Sequence, residues 1–243
     1  MRAVTQADLL ALWESGKALH PLDWGLLAVN TMFPETQPDS VADWPIGRRN
    51  RALVEMQLAC FGRALRGWTS CRRCADKLEF ALDGLTLAES PLPEQGAPIV
   101  VNGRTFRLPT SRDLARVAAE DDPGKAAVAL VEMCRINGEA RPGERSFLTE
   151  TDWTEEDLDA IGDKMALADP LGEIMLHFDC PECGESFDDS LDLPTFLRAE
   201  IEGRAKRLLR EVHTLASAYG WGEAEILSLN PARRQCYLEM VLA

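Results

Sequence analysis

The sequence contains few residues suited to catalysis. Only 3 of its 243 residues are histidines, namely His20, His177 and His213, and no two of them have the spacing of a metalloprotease helix. A phosphate-binding glycine loop, a nucleophile elbow and a dinucleotide fingerprint are also missing from the sequence. These absences argue against the common hydrolytic and nucleotide-dependent reactions, and we expect a protein that is not an enzyme.

Positive charge is also scarce. The chain has 26 Lys and Arg residues against 40 Asp and Glu residues, so its formal net charge is −14 at pH 7. Such a surface repels nucleic acid and anionic membranes, and we expect neither as a partner. No apolar run approaches the roughly 20 residues that a membrane-spanning helix needs. The N-terminus has a polar helical pattern rather than that of a secretory leader, which predicts a cytoplasmic protein.

Four of the seven cysteines form two short pairs, Cys71 with Cys74 and Cys180 with Cys183. Two residues between cysteines allow a tight turn to direct both sulfurs at one ion, and thiolate is a preferred ligand of tetrahedral zinc. Strand-like alternation flanks both pairs, as in the two halves of a zinc ribbon. We therefore predict that these four cysteines bind one structural zinc ion. Such a site is closed, because sulfur takes every position that a reactive water would need.

Other roles for these cysteines are open at the level of sequence. A redox pair usually begins a helix, which lowers the thiol pKa, whereas neither pair here leads into a helical pattern. Disulfides are disfavoured in a chain without a secretory leader, and simple burial is a further alternative. His177 could replace one cysteine as a ligand, although its position in a predicted strand favours a structural role. Three cysteines outside the pairs lie in apolar helical patterns and are expected to be small core residues: Cys60, Cys134 and Cys236.

Two charged clusters lie beside the cysteine pairs. Asp188, Asp189 and Asp192 follow the second pair and could bind a hard cation. They lack the spacing of a calcium loop, so we interpret them as a solvated turn that caps the next helix. Four thiolates around zinc carry a net charge of −2, so we interpret the basic cluster at the first pair as neutralising this charge rather than as a nucleic-acid patch. That basic cluster consists of Arg63, Arg66, Arg72 and Arg73.

The hydrophobic periodicity predicts a mainly α protein with small β-hairpins, an α+β fold in which a helical domain is built around a split four-cysteine zinc ribbon. Residues 1–66 are predicted to form an N-terminal helical region. Residues 67–190 would contain the two ribbon halves with an inserted hairpin and helices. Residues 191–243 would form a C-terminal helical region, and all three would pack as one compact unit.

Local signals refine this prediction. Asn102-Gly103 between alternating residues indicates a β-hairpin. A 3.6-residue apolar period predicts one long helix over residues 194–219, which Gly220 would end. Three segments rich in proline, glycine or charge are expected to be loops: residues 33–45, 84–98 and 137–150.

The C-terminal part of the chain also has a distinctive pattern. It reads RLLREVHTLASAYGWGEAEILSL over residues 207–229 and continues as NPARRQCYL over residues 230–238. Together with residues 104–114, 21–23 and 44–50, these segments resemble a baseplate protein family of contractile-tail phages and extracellular contractile injection systems. Members of that family are similar to the baseplate hub or hub-assembly proteins of T-even phages.

The resemblance implies a non-enzymatic baseplate component or a factor that helps the baseplate hub assemble. Its partners would be other baseplate, hub or spike proteins, and it would act in the cytoplasm or be incorporated in the assembled particle. Tyr219, Trp221 and Tyr237 are candidate docking residues, since aromatic side chains anchor interfaces; alternatively, they close the local helical hairpin. The alternative function is a zinc-ribbon protein that binds nucleic acid or regulates its use, which the net charge of −14 disfavours.

Overall fold

The computed structural model of the chain describes residues 2–93, 96–136 and 153–242. Within these ranges the chain is mainly helical with short strands, as predicted. The helices are α1 (Gln6–Gly16), α2 (Pro21–Met32), α3 (Pro38–Ala42), α4 (Ile46–Phe61), α5 (Gly84–Glu89), α6 (Ser111–Val117), α7 (Pro123–Cys134), α8 (Glu155–Ala168), α9 (Leu193–Tyr219), α10 (Glu223–Ser228) and α11 (Pro231–Leu242). The strands are β1 (Ala64–Ser70), β2 (Lys77–Asp83), β3 (Ile99–Val101), β4 (Arg104–Phe106), β5 (Met175–Asp179) and β6 (Ser186–Ser190). None of the helices in the described ranges has the length and apolar character needed to cross a bilayer.

The six strands form three antiparallel hairpins, β1–β2, β3–β4 and β5–β6, and each is a separate two-stranded sheet. In the β3–β4 hairpin, Asn102 and Gly103 have φ values of 49° and 73°. A two-residue type I′ turn requires positive φ at both positions, which Asn and Gly adopt most readily. The hairpin predicted from Asn-Gly is therefore confirmed.

The main hydrophobic core joins the N-terminal helices to the first half of α9. Trp24 of α2, Leu53 of α4 and Leu197 of α9 are each 1% exposed and belong to one cluster. Leu65 of β1 and Ile174, just before β5, are buried in the same cluster. Full burial of such side chains contributes roughly 1.5–3 kcal/mol each. The open ends of the β1–β2 and β5–β6 hairpins are therefore anchored to the same helical core.

Two of the smaller cores lie under the β3–β4 hairpin and in the C-terminal helices. Under the β3–β4 hairpin, Phe106 and Ile161 are buried together, and Trp153 packs against Phe106 with a ring separation of 6.0 Å. Residues from the second half of α9, from α10 and from α11 form a separate C-terminal core, which consists of Leu215, Ile226 and Leu238. Gly220 ends α9 in the left-handed conformation, with φ 72°, as predicted.

The N-terminus of α4 is capped from a distant part of the chain. Pro45, at the cap position, offers no side-chain hydrogen bond, and the Gly47 N–H instead donates to Oδ2 of Asp169 at 2.8 Å. Asn50 donates to the Leu171 carbonyl oxygen at 2.7 Å, so two hydrogen bonds tie the start of α4 to residues 169–171. A Cβ atom on Gly47 would lie 1.6 Å from Oδ1 of Asp169. The packing of Asp169 on the start of α4 therefore requires glycine at position 47.

Several local predictions are wrong. The segment 33–45 contains α3, and the segment 84–98 begins with α5, whose first turn Asp83 caps through the Leu85 N–H. The loop predicted at 137–150 lies outside the described residues. Cys134 is buried as predicted, whereas Cys236 is exposed on α11. The predicted boundary between residues 66 and 67 falls inside β1, so the first ribbon half begins earlier than expected.

Candidate metal centre

The structure brings the two cysteine pairs together. The Sγ atoms of Cys71 and Cys183 are 3.6 Å apart, as are those of Cys74 and Cys180, and all four lie within 4.8 Å of one another. The four cysteines are free rather than joined in disulfides. A tetrahedral ion with Zn–S bonds of about 2.3 Å would place its sulfurs about 3.8 Å apart. The cluster therefore has the dimensions of a four-sulfur metal site, assembled from stretches 106 to 112 residues apart.

Each pair occupies a turn at the tip of its hairpin, and the two turns have the same backbone path. The Ala75 N–H donates to the Cys71 carbonyl at 3.0 Å, and the Gly184 N–H donates to the Cys180 carbonyl at 2.9 Å. The donor residue has positive φ in both turns, 60° at Ala75 and 69° at Gly184. Two equivalent turns thus present two pairs of sulfurs to one point, and Ala75 adopts a conformation that favours glycine.

Ala75→Gly is expected to stabilise the metal-loaded protein by about 1 kcal/mol, because an L-residue in the left-handed region costs roughly 1–2 kcal/mol. Gly184→Ala should destabilise it by a similar amount, for the same reason. Urea unfolding of the metal-loaded variants would measure both changes. The control is Ala81→Gly in β2, where the same substitution should cost roughly 0.5–1 kcal/mol. A loss of stability in Ala75→Gly would contradict the conformation assigned to this turn.

The thiols of Cys71 and Cys74 differ in acidity. Hydrogen bonds from the backbone N–H groups of Cys74 and Arg73 lower the pKa of Cys71 to about 7, against the opposing effect of burial. At Cys74 the Asp76 N–H favours the thiolate, but desolvation by the surrounding atoms and the neighbouring sulfurs, that of Cys180 first, raise the pKa to about 12. Crowded thiols resist the loss of a second proton because thiolates repel one another. A divalent cation among them would offset this repulsion.

A small aromatic core supports the two turns. Phe178 and Phe187 stack with a centroid separation of 5.5 Å, and Phe80 of β2 packs against Phe178 at 6.0 Å. Cys71 and Cys180 belong to this cluster and are each 3% exposed, whereas Cys74 faces solvent. The two hairpins therefore pack on each other beneath the sulfurs.

The acidic cluster after the second pair joins the two hairpins. The Thr69 hydroxyl on β1 donates to Oδ2 of Asp189 at 2.6 Å, and the Arg72 guanidinium donates to the Asp188 carbonyl oxygen at 2.6 Å. Asp192 caps α9 by accepting from the Thr195 N–H at 3.3 Å. The capping role was predicted from the sequence, but the contacts between hairpins were not. No local signal could have revealed them, because the paired residues are more than 100 positions apart.

Most of the basic cluster is engaged with nearby carboxylates. Arg63 forms an ion pair with Asp83 at the open end of the β1–β2 hairpin. Two further pairs cross from the first turn to the second hairpin: Arg72 with Asp189 at 4.0 Å and Arg73 with Glu185 at 3.6 Å. The arginine side chains are 66–67% exposed and their carboxylate partners 30–41% exposed, so water screens each pair and its contribution to stability is small. The pairs of Arg72 and Arg73 bring opposite charges together between the first turn and the second hairpin.

His177 is not one of the clustered ligands. Its Nδ1 lies 2.8 Å from Oδ1 of Asp188, and this hydrogen bond raises the pKa of the imidazole. The nearby acids Asp188 and Asp179 thus hold the ring on the exposed surface of β5. The metal cluster found among the described residues consists of the four predicted cysteines alone.

The three candidate docking aromatics contact one another. Tyr219 stacks on Trp221 with a centroid separation of 4.7 Å, and Tyr237 meets Trp221 edge-on at 4.9 Å. These contacts join α9 to α11, which fits the alternative that the rings close the helical hairpin. No protein-family model, curated protein or solved structure matches the chain.

Proposed function

We propose that Cys71, Cys74, Cys180 and Cys183 bind one structural zinc ion that fastens the β1–β2 hairpin to the β5–β6 hairpin. The observation that supports this assignment is the cluster of four sulfurs within 4.8 Å of one another. A tetrahedral all-sulfur donor set suits zinc, with iron as the main competitor. Four sulfurs around the ion leave no position for water, so the proposed role is structural and not catalytic.

We further propose that the chain is a non-enzymatic baseplate component or baseplate-hub assembly factor of a phage-tail-like contractile injection system. The supporting observation is the sequence resemblance, which is most specific after residue 195 and includes the pattern over residues 207–238. These residues form the second half of α9, all of α10 and most of α11. An acidic scaffold pinned by a metal suits a protein that binds other baseplate, hub or spike proteins.

The competing function, a zinc-ribbon protein that binds nucleic acid, has weaker support. Its sequence basis is the arginine cluster at the first cysteine pair. Arg72 and Arg73 are turned toward the carboxylates of the second hairpin, so their charge is partly neutralised. The net charge of −14 also repels the phosphate backbone.

Deleting the gene for this chain is expected to stop the formation of complete, contracting particles in the cells that encode it. The measurement is electron microscopy of sheath-bearing particles, with mass spectrometry of particles and lysate to locate the chain. Complementation with Cys236→Ser should restore assembly, because Cys236 is exposed and lies outside the metal cluster. Complementation with Cys180→Ser should not restore it. Complete contracting particles without the chain would refute the assembly role.

A further inference from the structure

The outer edge of β1 has no hydrogen-bond partner among the described residues. In an antiparallel pair, alternate residues direct their N–H and C=O groups toward the neighbouring strand. The Gly84 N–H donates to the Arg63 carbonyl at 2.8 Å, which fixes this alternation along β1. Arg66 and Trp68 therefore direct their backbone groups away from β2. Neither residue's backbone takes part in the hydrogen bonds of the described ranges outside the β1–β2 ladder.

This edge adjoins an apolar groove. Arg66 and Trp68 line a cavity of about 490 Å³ that lies between β1, the end of β6 and the first turns of α9. Phe80, Leu176 and Phe178 contribute apolar surface to the groove. Trp68 is 61% exposed, which is unusual for a large aromatic side chain and typical of an interface anchor. An extended segment on the β1 edge would thus have an apolar pocket beside it.

The charge around the groove selects among possible occupants. Asp192 and Glu200 line it against the cation Arg66, and Asp189 lines it too but is already paired with Arg72 at 4.0 Å. The whole chain has a net charge of −14, so the wider surface reinforces this negative potential. An acidic or neutral partner gains nothing from these charges, whereas a basic partner is attracted.

We propose that the β1 groove binds an extended segment of a partner protein, in which apolar and basic residues alternate, as an added strand on β1. The backbone of the segment would pair with Arg66 and Trp68, as in other complexes formed by strand addition. Its alternate side chains would point to opposite sides of the new strand. Apolar side chains would enter the groove, and basic side chains, on the opposite, solvent-facing side of the strand, would be attracted by the chain's net charge of −14. The inference rests on the proposed role as a binding module and names the chemistry of one partner.

A labelled eight-residue peptide of alternating valine and lysine provides the test. Its fluorescence anisotropy on titration with the purified metal-loaded chain should show binding at least tenfold tighter than that of two comparators. The first comparator alternates valine and glutamate. The second has the composition of the test peptide, but its valines and lysines stand in separate blocks. Absence of binding, or equal binding of the alternating and block peptides, would overturn the proposal.

Two variants of one residue isolate the backbone contribution. Trp68→Pro removes the outward N–H without removing a bond to β2, because proline is tolerated where a strand's N–H faces solvent. Trp68→Ala removes the same indole ring but keeps the N–H. The proline variant should bind the test peptide at least tenfold more weakly than the alanine variant, and equal affinities would overturn the proposal.

Amide hydrogen exchange of the unmodified chain gives an independent readout if the proline variant does not fold. The Trp68 amide should exchange fast in the free chain and at least tenfold more slowly with saturating peptide, and an unchanged rate would overturn the proposal. The peptide experiments all use the isolated chain, whereas the gene deletion tests assembly in cells. Failure of this inference is therefore distinguishable from failure of the proposed function.

Discussion

Cys180→Ser is expected to abolish metal binding and to unfold the two hairpins that the metal joins. Structural zinc binding contributes about 10–16 kcal/mol in zinc-finger peptides at pH 7, whereas a domain has a net stability of only about 5–15 kcal/mol. Cys180 is 3% exposed and its Sγ lies 3.6 Å from that of Cys74, so serine cannot restore the ligand by a small shift. Elemental analysis and circular dichroism of the purified variant would measure both effects.

The matched control for this experiment is Cys236→Ser, which makes the same chemical change at an exposed position. It should keep the metal and change the free energy of unfolding by less than about 0.5 kcal/mol. The unmodified chain, kept reduced, should contain about one zinc per chain. Iron in place of zinc would contradict the metal assignment, and a folded Cys180→Ser variant with a full complement of metal would contradict the ligand assignment.

Gly47→Ala is expected to destabilise the protein by about 3 kcal/mol or more, although alanine normally favours a helix. The new Cβ would lie 1.6 Å from Oδ1 of Asp169, so the carboxylate must leave its position. When the carboxylate moves, the hydrogen bond that caps α4 is lost and the buried contact between α4 and Asp169 is disturbed. The effect would be read from the midpoint of urea unfolding of the metal-loaded variant.

Gly203→Ala provides the comparison for Gly47→Ala. Gly203 is an exposed residue inside α9, and no atom lies within 4 Å of the Cβ that alanine would add. The substitution should therefore stabilise the protein by roughly 0.4–1 kcal/mol. If Gly47→Ala behaved like Gly203→Ala, the close packing of Asp169 on α4 would be disproved.

The metal cluster was predictable because its signals are local. The spacing of Cys71 with Cys74 and of Cys180 with Cys183 specifies a turn that directs two sulfurs the same way, wherever it occurs. The sequence predicts that the two turns share one site because there are two of them and both have the same cysteine spacing. The structure confirms that they lie close together. By contrast, the Asp169 cap on α4 depends on a contact across 122 positions and leaves no trace in the local sequence.

The wrong predictions for residues 84–98 and for Cys236 have physical causes. Residues 84–98 have the composition of a loop, yet α5 forms there because Asp83 caps its first turn and α5 packs against α4. Cys236 was placed in the core because its neighbours on α11 are apolar. The buried face instead includes Arg234, which donates to Glu211 at 2.8 Å, and Leu238 one turn later. An ion pair whose arginine is buried therefore lies on the inward side of α11, and hydrophobic periodicity alone cannot detect it.

The long separation of the two cysteine pairs imposes an order on biogenesis. A ribosome adding about 5–20 residues per second completes the second pair roughly 5 to 22 s after the first. During this interval the first turn carries only half of a ligand set, while the β3–β4 hairpin and α6 to α8 are being made. Closure of the four-sulfur cluster is therefore a late event that can occur only once the intervening polypeptide has been synthesised.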